Sequence, residues 1–223
     1  MRVDDLIEYY PRLYHMAEDG SWPSISRHGL LSTERLVDLF EVPEPNRTIL
    51  LTQHRPDSVP LTHPRHGRAV VRDQKPLQIT KLQRLLTDMT VTEWIRLLNG
   101  HVFFWLHPDR LATLLNARAY RKRPHVVLTV DTRSLVSVHA ERIRLSPINS
   151  GATAYLNGRR GSATFHPIAA YQHPRSRLRP PTYVVELAVP QHIPDIVNHT
   201  LRVERRQGDR VLETLAIPSA STR

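Results

Sequence analysis

The stretch that most constrains the fold is residues 13–32, LYHMAEDGSWPSISRHGLLS. Its apolar opening, Leu13–Met16, predicts a strand that carries one histidine, His15. A polar turn follows, Pro23 favours the start of a short helix, and Gly29 favours its end. This order places His15 beside a backbone loop that is suited to gripping a ligand. His15 is either part of such a site or a core histidine whose hydrogen bonds are satisfied within the fold.

The rest of the chain mixes helical and strand patterns. Apolar spacing and capping residues predict helices at residues 4–10, 33–40, 79–86, 90–99 and 108–120. Strands are predicted at residues 68–72, 101–106, 125–130 and 183–189, with a terminal hairpin over 199–217. Residues 52–76 are otherwise irregular, and residues 156–181 are predicted to form a long exposed loop. We therefore expect one α+β domain over residues 1–218 and a frayed tail at 219–223.

The charge is strongly basic. Thirty-one Lys and Arg residues against 21 Asp and Glu residues give a net charge of +10, and most of the cations are arginine. Arginine presents a planar set of donors that matches phosphate oxygens, so this surface favours nucleic acid or another polyanion as a partner. A solubilising surface shaped by codon bias is the alternative interpretation.

The absence of cysteine excludes disulfides, thiolate nucleophiles and cysteine-ligated zinc. The sequence contains no apolar run of 18 residues and no pattern of a signal peptide, which predicts a cytoplasmic protein without a membrane partner. His54, His63 and His66 lie close together in sequence, but no HExxH pattern or carboxylate cluster accompanies them. We therefore predict no metal site.

Three features require a common explanation: His15, the arginines at 68 and 72, and Glu186. Glu186 interrupts an otherwise apolar strand, and burying an ionised carboxylate is costly unless it is paired or serves a function. Taken singly, Glu186 is also compatible with an internal ion pair, and Arg72 with a surface position.

In chain order these features resemble the ADP-ribosyltransferases, and more closely the DarT-like branch, whose members transfer ADP-ribose to DNA bases. The resemblance rests on YHM at 14–16, ISRHGLL at 25–31, and VVELAV at 184–189 followed by IPDI at 193–196. The aromatic strand VFFW at 102–105 is a looser counterpart. The chain departs from the family pattern at LHPDR, 106–110, and in the segment Asn149-Ser150-Gly151, which has no counterpart.

The resemblance implies a split β-sheet cleft with surrounding short helices and NAD as co-substrate. It assigns catalytic roles to Glu186 and Arg72, and NAD binding to His15, Gly29, Leu30, Arg68, Phe104 and Trp105. The chemistry agrees, because cleavage of the nicotinamide–ribose bond develops an oxocarbenium-like cation that a carboxylate stabilises. An arginine is equally suited to the pyrophosphate.

The expected function is that of an NAD-dependent ADP-ribosyltransferase acting on a DNA or RNA base, as a toxin or phage-defence effector, with or without an antitoxin or immunity partner. NAD hydrolysis and transfer to protein are variants of the same chemistry. The alternative is a non-catalytic, basic nucleic-acid-binding module that has the same fold.

Overall fold

The computed structural model describes residues 1–153, 158–172 and 184–218. The predicted tail at 219–223 and parts of the predicted loop at 156–181 lie outside the described residues. The described α-helices are α1 Val3–Tyr9, α2 Trp22–His28, α3 Thr33–Leu39, α4 Asn46–Thr52, α5 Ile79–Leu85, α6 Val91–Asn99, α7 Pro108–Leu115, α8 Thr132–His139 and α9 Ile196–His199. None of these helices is long and apolar enough to cross a membrane.

The strands form one large antiparallel sheet and two small ones. They are β1 Arg12–Glu18, β2 Leu30–Leu31, β3 Val59–His63, β4 Gly67–Val71, β5 His101–Trp105, β6 His125–Asp131, β7 Arg144–Ser146, β8 His166–Pro167, β9 Glu186–Pro190, β10 His192–Ile193, β11 Thr200–Gln207 and β12 Arg210–Leu215. The large sheet has the order β12-β11-β6-β1-β5-β9-β7-β8, while β2 pairs with β10 and β3 with β4. This architecture confirms the α+β class.

The large sheet consists of two halves that meet at one point. β1 pairs with β6 along seven residues, and β5 pairs with β9 along five. Between the halves, however, β1 and β5 share a single pair, Tyr14 with Trp105. Beyond that pair β1 and β5 have no further residues in register. Residues of β2 and of the β3–β4 hairpin line the opening between the two strands.

Local signals explain several element boundaries. The Ser32 side chain accepts a hydrogen bond from the Arg35 N–H and caps α3, and Thr90 and Glu93 form the predicted capping box of α6. Gly29 ends α2 with φ of 83°, and a Cβ there would lie 2.6 Å from the Ile193 carbonyl oxygen. A glycine is required at this position, because any side chain would separate β2 from β10.

Apolar packing attaches the remaining elements to the sheet. The main core lies on the face that carries Leu13, Leu128 and Leu187. Helix α7 covers the opposite face through Leu111 and Leu115, beside Met16 and Val127. Two satellite clusters complete the fold: one joins α3, α4 and the β3–β4 hairpin, and the other joins α5 and α6.

Four sequence expectations are corrected. Residues 52–76 contain a complete hairpin, and α4 precedes it, because Leu50, Leu51 and Leu61 share a core with α3 that has no clear periodicity in sequence. Helix α7 ends at Leu115, five residues before the predicted end. Residues 158–172 are not an exposed loop, since Arg160, Thr164, Ile168 and Tyr171 are buried. The late strand begins at Glu186, and Tyr183, where it was expected to start, lies outside the described residues.

Candidate functional site

The opening between the two halves of the sheet contains a cavity of about 330 Å³. This volume lies within the range that small-molecule sites occupy, roughly 300–1,000 Å³. Seven of the eight residues proposed from the sequence line it: His15, Gly29, Leu30, Arg72, Phe104, Trp105 and Glu186. The cavity therefore draws together residues from both halves of the sheet, the β3–β4 hairpin and the glycine exit of α2.

Glu186 is the buried carboxylate of this cavity. It opens β9, pairs in register with Trp105 on one side and Ser146 on the other, and is 4% exposed. Burial raises its pKa to about 7, although the Ser150 hydrogen bond and the more distant charges of Arg160 and Arg110 act in the opposite direction. The internal ion pair considered for Glu186 does not form among the described residues. A carboxyl group with this pKa is suited to proton transfer at neutral pH.

A tight turn at Asn149–Ala152 positions the partner of Glu186. The Ser150 N–H donates to Glu186 Oε2 over 2.9 Å. The buried Arg160 holds the turn, because its Nη2 donates to the carbonyl oxygens of Asn149 and Ala152 at 3.0 and 2.6 Å. The irregular Asn149-Ser150-Gly151 segment, which had no counterpart in the resemblance, thus belongs to the site. Arg160 was not identified from the sequence, since it lies among many arginines.

His15 bridges the gap between the two halves of the sheet. Its Nδ1 lies 2.8 Å from the Phe103 carbonyl oxygen, which can only accept, so Nδ1 carries the proton. Burial lowers the pKa of His15 to about 4, and the ring is neutral at pH 7. Its Nε2 is therefore an acceptor, and no described residue donates to it. Nδ1 makes the internal hydrogen bond of a core histidine, while Nε2 retains the capacity to accept a hydrogen bond.

Arg72 follows β4 directly and reaches β1. Its Nη1 donates to the Met16 carbonyl oxygen over 3.0 Å, and its guanidinium carbon lies 5.2 Å from the centre of the Tyr120 ring. The buried Arg72 Nε makes no hydrogen bond with a described residue, but it lies 3.5 Å from Glu18 Oε1 and forms an ion pair with it. Arg55 helps to position this segment, because its Nε donates to the Arg72 carbonyl oxygen over 3.1 Å. Arg72 is held in place and retains donors for an anionic ligand.

The two aromatic candidates differ in their surroundings. The Phe104 side chain is 1% exposed and lies in the main core, with its ring centre 5.7 Å from that of His15. Trp105 is half-buried on the opposite face of β5, between Tyr14 and Glu186 in the register of the sheet. Trp105 and Tyr14 are therefore the aromatic residues best placed to contact a planar ring bound beside Glu186.

Arg68 is the one proposed residue that the cavity does not contain. It pairs with Thr62 in the β3–β4 hairpin, and its side chain is exposed. Arg68 is the second residue of β4 and Arg72 directly follows its end, so the four positions between them correspond to about 13 Å along the strand. The structure brings Arg72, but not Arg68, to the other proposed residues.

A further polar group lies in the same cavity and was missed by sequence reasoning. Glu18 ends β1, and Asp73 follows Arg72; both residues are 9% exposed. The Tyr120 hydroxyl donates to Asp73 Oδ1 over 2.7 Å. Burial raises the pKa of Asp73, but hydrogen bonds from Tyr120 and the Lys75 N–H outweigh it, so the pKa lies below its usual value. Neither acid stands in a recognisable motif, and no sequence pattern indicates that they meet.

A second buried cluster lies outside the cavity and consists of His139, Asp195 and His199, here called the Asp195 cluster. The side-chain ligand atoms lie within 4.8 Å of one another, which is close enough to hold a metal ion. Each imidazole nevertheless donates from Nε2 to Asp195, at 2.7 and 3.1 Å. Arg142 lies 3.5 Å from His139 Nδ1 and only donates, which keeps the His139 proton on Nε2. Hydrogen bonds account for the cluster without a metal.

Comparison with known proteins gives a family but no function. No curated protein and no solved structure matches the chain. Residues 11–200, which include all of the cavity residues described above, match the family described as "Family of unknown function (DUF7002)". The chain belongs to this family.

Proposed function

We propose that the protein is an NAD-dependent ADP-ribosyltransferase that modifies a nucleic-acid base, on an ADP-ribosyltransferase-like fold. The observation that carries the proposal is Glu186, a buried carboxylate with a pKa near 7, in one cavity with Arg72 and His15. The sheet is split at this cavity, where β1 and β5 share one pair. These features match what the sequence resemblance implies for NAD binding.

The chemistry assigned to Glu186 is stabilisation of the ribosyl cation. The bond between ribose C1′ and the nicotinamide nitrogen breaks, its electron pair stays on that nitrogen, and neutral nicotinamide leaves. A nucleophilic nitrogen or oxygen of the acceptor then bonds to C1′, and its proton passes to the Glu186 carboxylate. The positively charged nicotinamide ring of NAD favours the ionised form of Glu186 in the complex, before the cation develops.

The other cavity residues take roles that follow from their positions. Arg72 donates to the pyrophosphate through the part of its guanidinium that contacts neither Met16 nor Glu18. Tyr14 and Trp105 contact the nicotinamide ring, and the backbone around Gly29 and Leu30 pairs with its carboxamide. His15 offers Nε2 as an acceptor to a hydroxyl group of the ligand.

Nucleic acid is the acceptor that the charge favours. The net charge is +10, and the turn after α7 exposes four cations next to the cavity residue Tyr120: Arg118, Arg121, Lys122 and Arg123. Arg110 of α7 is close enough to act on the pKa of Glu186. Such cations bind phosphates without reading sequence, and the site itself then selects the base.

The test is mass spectrometry of purified protein incubated with NAD and short single-stranded DNA or RNA, beside the Glu186→Gln variant. We expect an ADP-ribose adduct on the nucleic acid, and a fall of at least about 10²-fold in its rate of formation in the variant. Adduct formation that is unaffected by Glu186→Gln would contradict the assigned role. The absence of both adduct and nicotinamide release with wild-type protein would contradict the enzyme.

A non-catalytic nucleic-acid-binding module is the second candidate, and the basic charge alone favours it. In that case nucleic acid binds in the absence of NAD, and Glu186→Gln leaves its affinity unchanged. Substitution of the exposed Arg118 and Arg121 should then weaken binding and flatten its salt dependence. The same purified proteins therefore distinguish the two candidates.

A further inference from the structure

Two buried carboxylates lie in the cavity at a distance from Glu186. Ser58 Oγ lies 3.2 Å from Glu18 Oε1 and 3.3 Å from Asp73 Oδ2. A serine hydroxyl has one proton, so it satisfies only one of these oxygens at a time. The Asp73 side chain is fully enclosed, and its Oδ1 accepts from the Tyr120 hydroxyl and the Lys75 N–H. Glu18, whose side chain is 11% exposed, is therefore the acid of the pair that retains capacity to accept a hydrogen bond from a ligand.

The strand spacing fixes where this pair lies relative to the reaction centre. Tyr14 marks the Glu186 end of the cavity, and Glu18 is four residues further along β1, which corresponds to about 13 Å. Arg72 lies between the two ends, since its Nη1 contacts the Met16 carbonyl oxygen. The order along the cavity is thus a carboxylate, an arginine and a pair of carboxylates, which matches ribose, pyrophosphate and ribose in a dinucleotide.

We infer that Glu18 binds the adenosine ribose, and that its charge and that of the enclosed Asp73 behind it select NAD over NADP. This inference rests on the proposed function. A carboxylate accepts a hydrogen bond from a ribose 2′-hydroxyl, whereas a 2′-phosphate in that place would set its own negative charge against two buried carboxylates.

The nearby cations do not reverse this preference. Arg72 Nε lies 3.5 Å from Glu18 Oε1, but in the proposed complex the rest of its guanidinium donates to the pyrophosphate, so its charge is divided between the two. The Arg123 side chain is 44% exposed, and its Nη atoms lie 3.9 and 4.0 Å from Glu18 and Asp73. Its charge is therefore shared with both acids and screened by solvent.

The test compares the dissociation constants of NAD, NADP and NAD lacking the adenosine 2′-hydroxyl, measured by calorimetry on the wild-type protein. Nicotinamide release from NAD and NADP supplies kcat/KM as a second readout. We expect NAD to bind at least about tenfold more tightly than either analogue, because each analogue lacks the charge-assisted hydrogen bond. Equal affinity for NAD and NADP, or tighter binding of NADP, would overturn the inference while leaving the proposed function intact.

Variants locate the preference within the cavity. Glu18→Gln and Asp73→Asn should each lower the NAD-to-NADP affinity ratio several-fold, whereas Asp57→Asn, at a neighbouring acid that is 81% exposed, should leave it unchanged. A ratio that is the same in all three variants would contradict the assignment to these two residues. If wild-type protein binds no NAD at all, the proposed function fails first and the selectivity with it.

Discussion

The cavity and the Asp195 cluster are both buried polar sites, but they differ in how completely their groups are paired. In the Asp195 cluster the carboxylate accepts hydrogen bonds from two imidazoles, and Ser134 Oγ lies 2.7 Å from His199 Nδ1. In the cavity, Glu186 has the Ser150 N–H as its partner, Arg72 Nε makes an ion pair with Glu18 but no hydrogen bond with a described residue, and His15 Nε2 is an open acceptor.

The polar groups of the Asp195 cluster are thus paired with one another and stabilise the fold, whereas those of the cavity retain capacity to bind a ligand. Burial raises the pKa of the Asp195 carboxyl, whose side chain is 29% exposed, but the hydrogen bond from His139 and the electrostatic effects of both histidines together outweigh burial, so the pKa lies below its usual value. The Glu186 pKa instead rises to about 7, because one backbone turn does not replace the water that burial removes. A protein retains such an unfavourable carboxylate where a ligand completes its environment.

The largest expected effect is on stability at high pH in Glu186→Gln. The folded pKa of Glu186 lies above its ordinary value of 4.5, so its favourable contribution is complete below pH 4.5 and is lost as the pH rises through about 7. The difference between the two values corresponds to about 3 kcal/mol. We expect the variant to be more stable than wild type by roughly this amount at pH 8, measured by urea denaturation, and by less than about 1 kcal/mol at pH 5.

The control for this measurement is Glu141→Gln, at an exposed acid beyond α8. It should leave the pH dependence of unfolding unchanged. If Glu186→Gln proved less stable than wild type at pH 8, the carboxylate would be contributing to the fold, and the contrast with Asp195 would disappear.

A smaller effect of opposite sign is expected for Asp195→Ala. The substitution removes the acceptor of two imidazole N–H groups that are buried, so the free energy of unfolding at pH 7 should fall by about 2 kcal/mol. Asp195→Asn retains one acceptor oxygen and should lose about half of this. The affinity for NAD in the folded protein should not change, because Asp195 does not line the cavity.

An unchanged stability of Asp195→Ala, measured by urea denaturation, would show that the cluster is not the stabilising site that its geometry indicates. Addition of zinc to wild-type protein gives an independent check. Hydrogen bonding through His139 Nε2–H predicts no rise in melting temperature, and a zinc-dependent rise would instead assign the cluster to a metal.

The sequence predicted the elements that carry the cavity, because local signals determine them. Gly29, the Thr90–Glu93 capping box and the apolar run of β5 each specify a boundary or a period over a few residues. The α+β class followed from these elements. Glu186 and His15 were singled out from the sequence because each is a polar residue within an apolar run, and both line the cavity.

The remaining parts of the site depend on contacts between distant residues. Glu18 and Asp73 are 55 positions apart, and Arg160 holds a turn that serves a strand beginning at Glu186. Helix α4 was missed for the same reason, because its leucines pack on α3 and on the β3–β4 hairpin and show no clear helical period in the sequence. Single-sequence periodicity contains no information on such pairings, and Arg160 in particular appeared as one cation among many.

The smallest effect is expected from substitution of Arg68. This residue lies in the β3–β4 hairpin outside the cavity, whereas Arg72, directly after the hairpin, lines it. Arg68 is exposed, so Arg68→Gln should change the free energy of unfolding by less than about 0.5 kcal/mol and leave the affinity for ADP-ribose unchanged. Arg72→Gln removes both the hydrogen bond to Met16 and the donors facing the cavity, and should weaken ADP-ribose binding at least about tenfold. Calorimetric titration of the two variants measures this difference. If both variants lost affinity for ADP-ribose equally, binding would depend on the total charge of the hairpin. If both retained it, the pyrophosphate would bind away from Arg72.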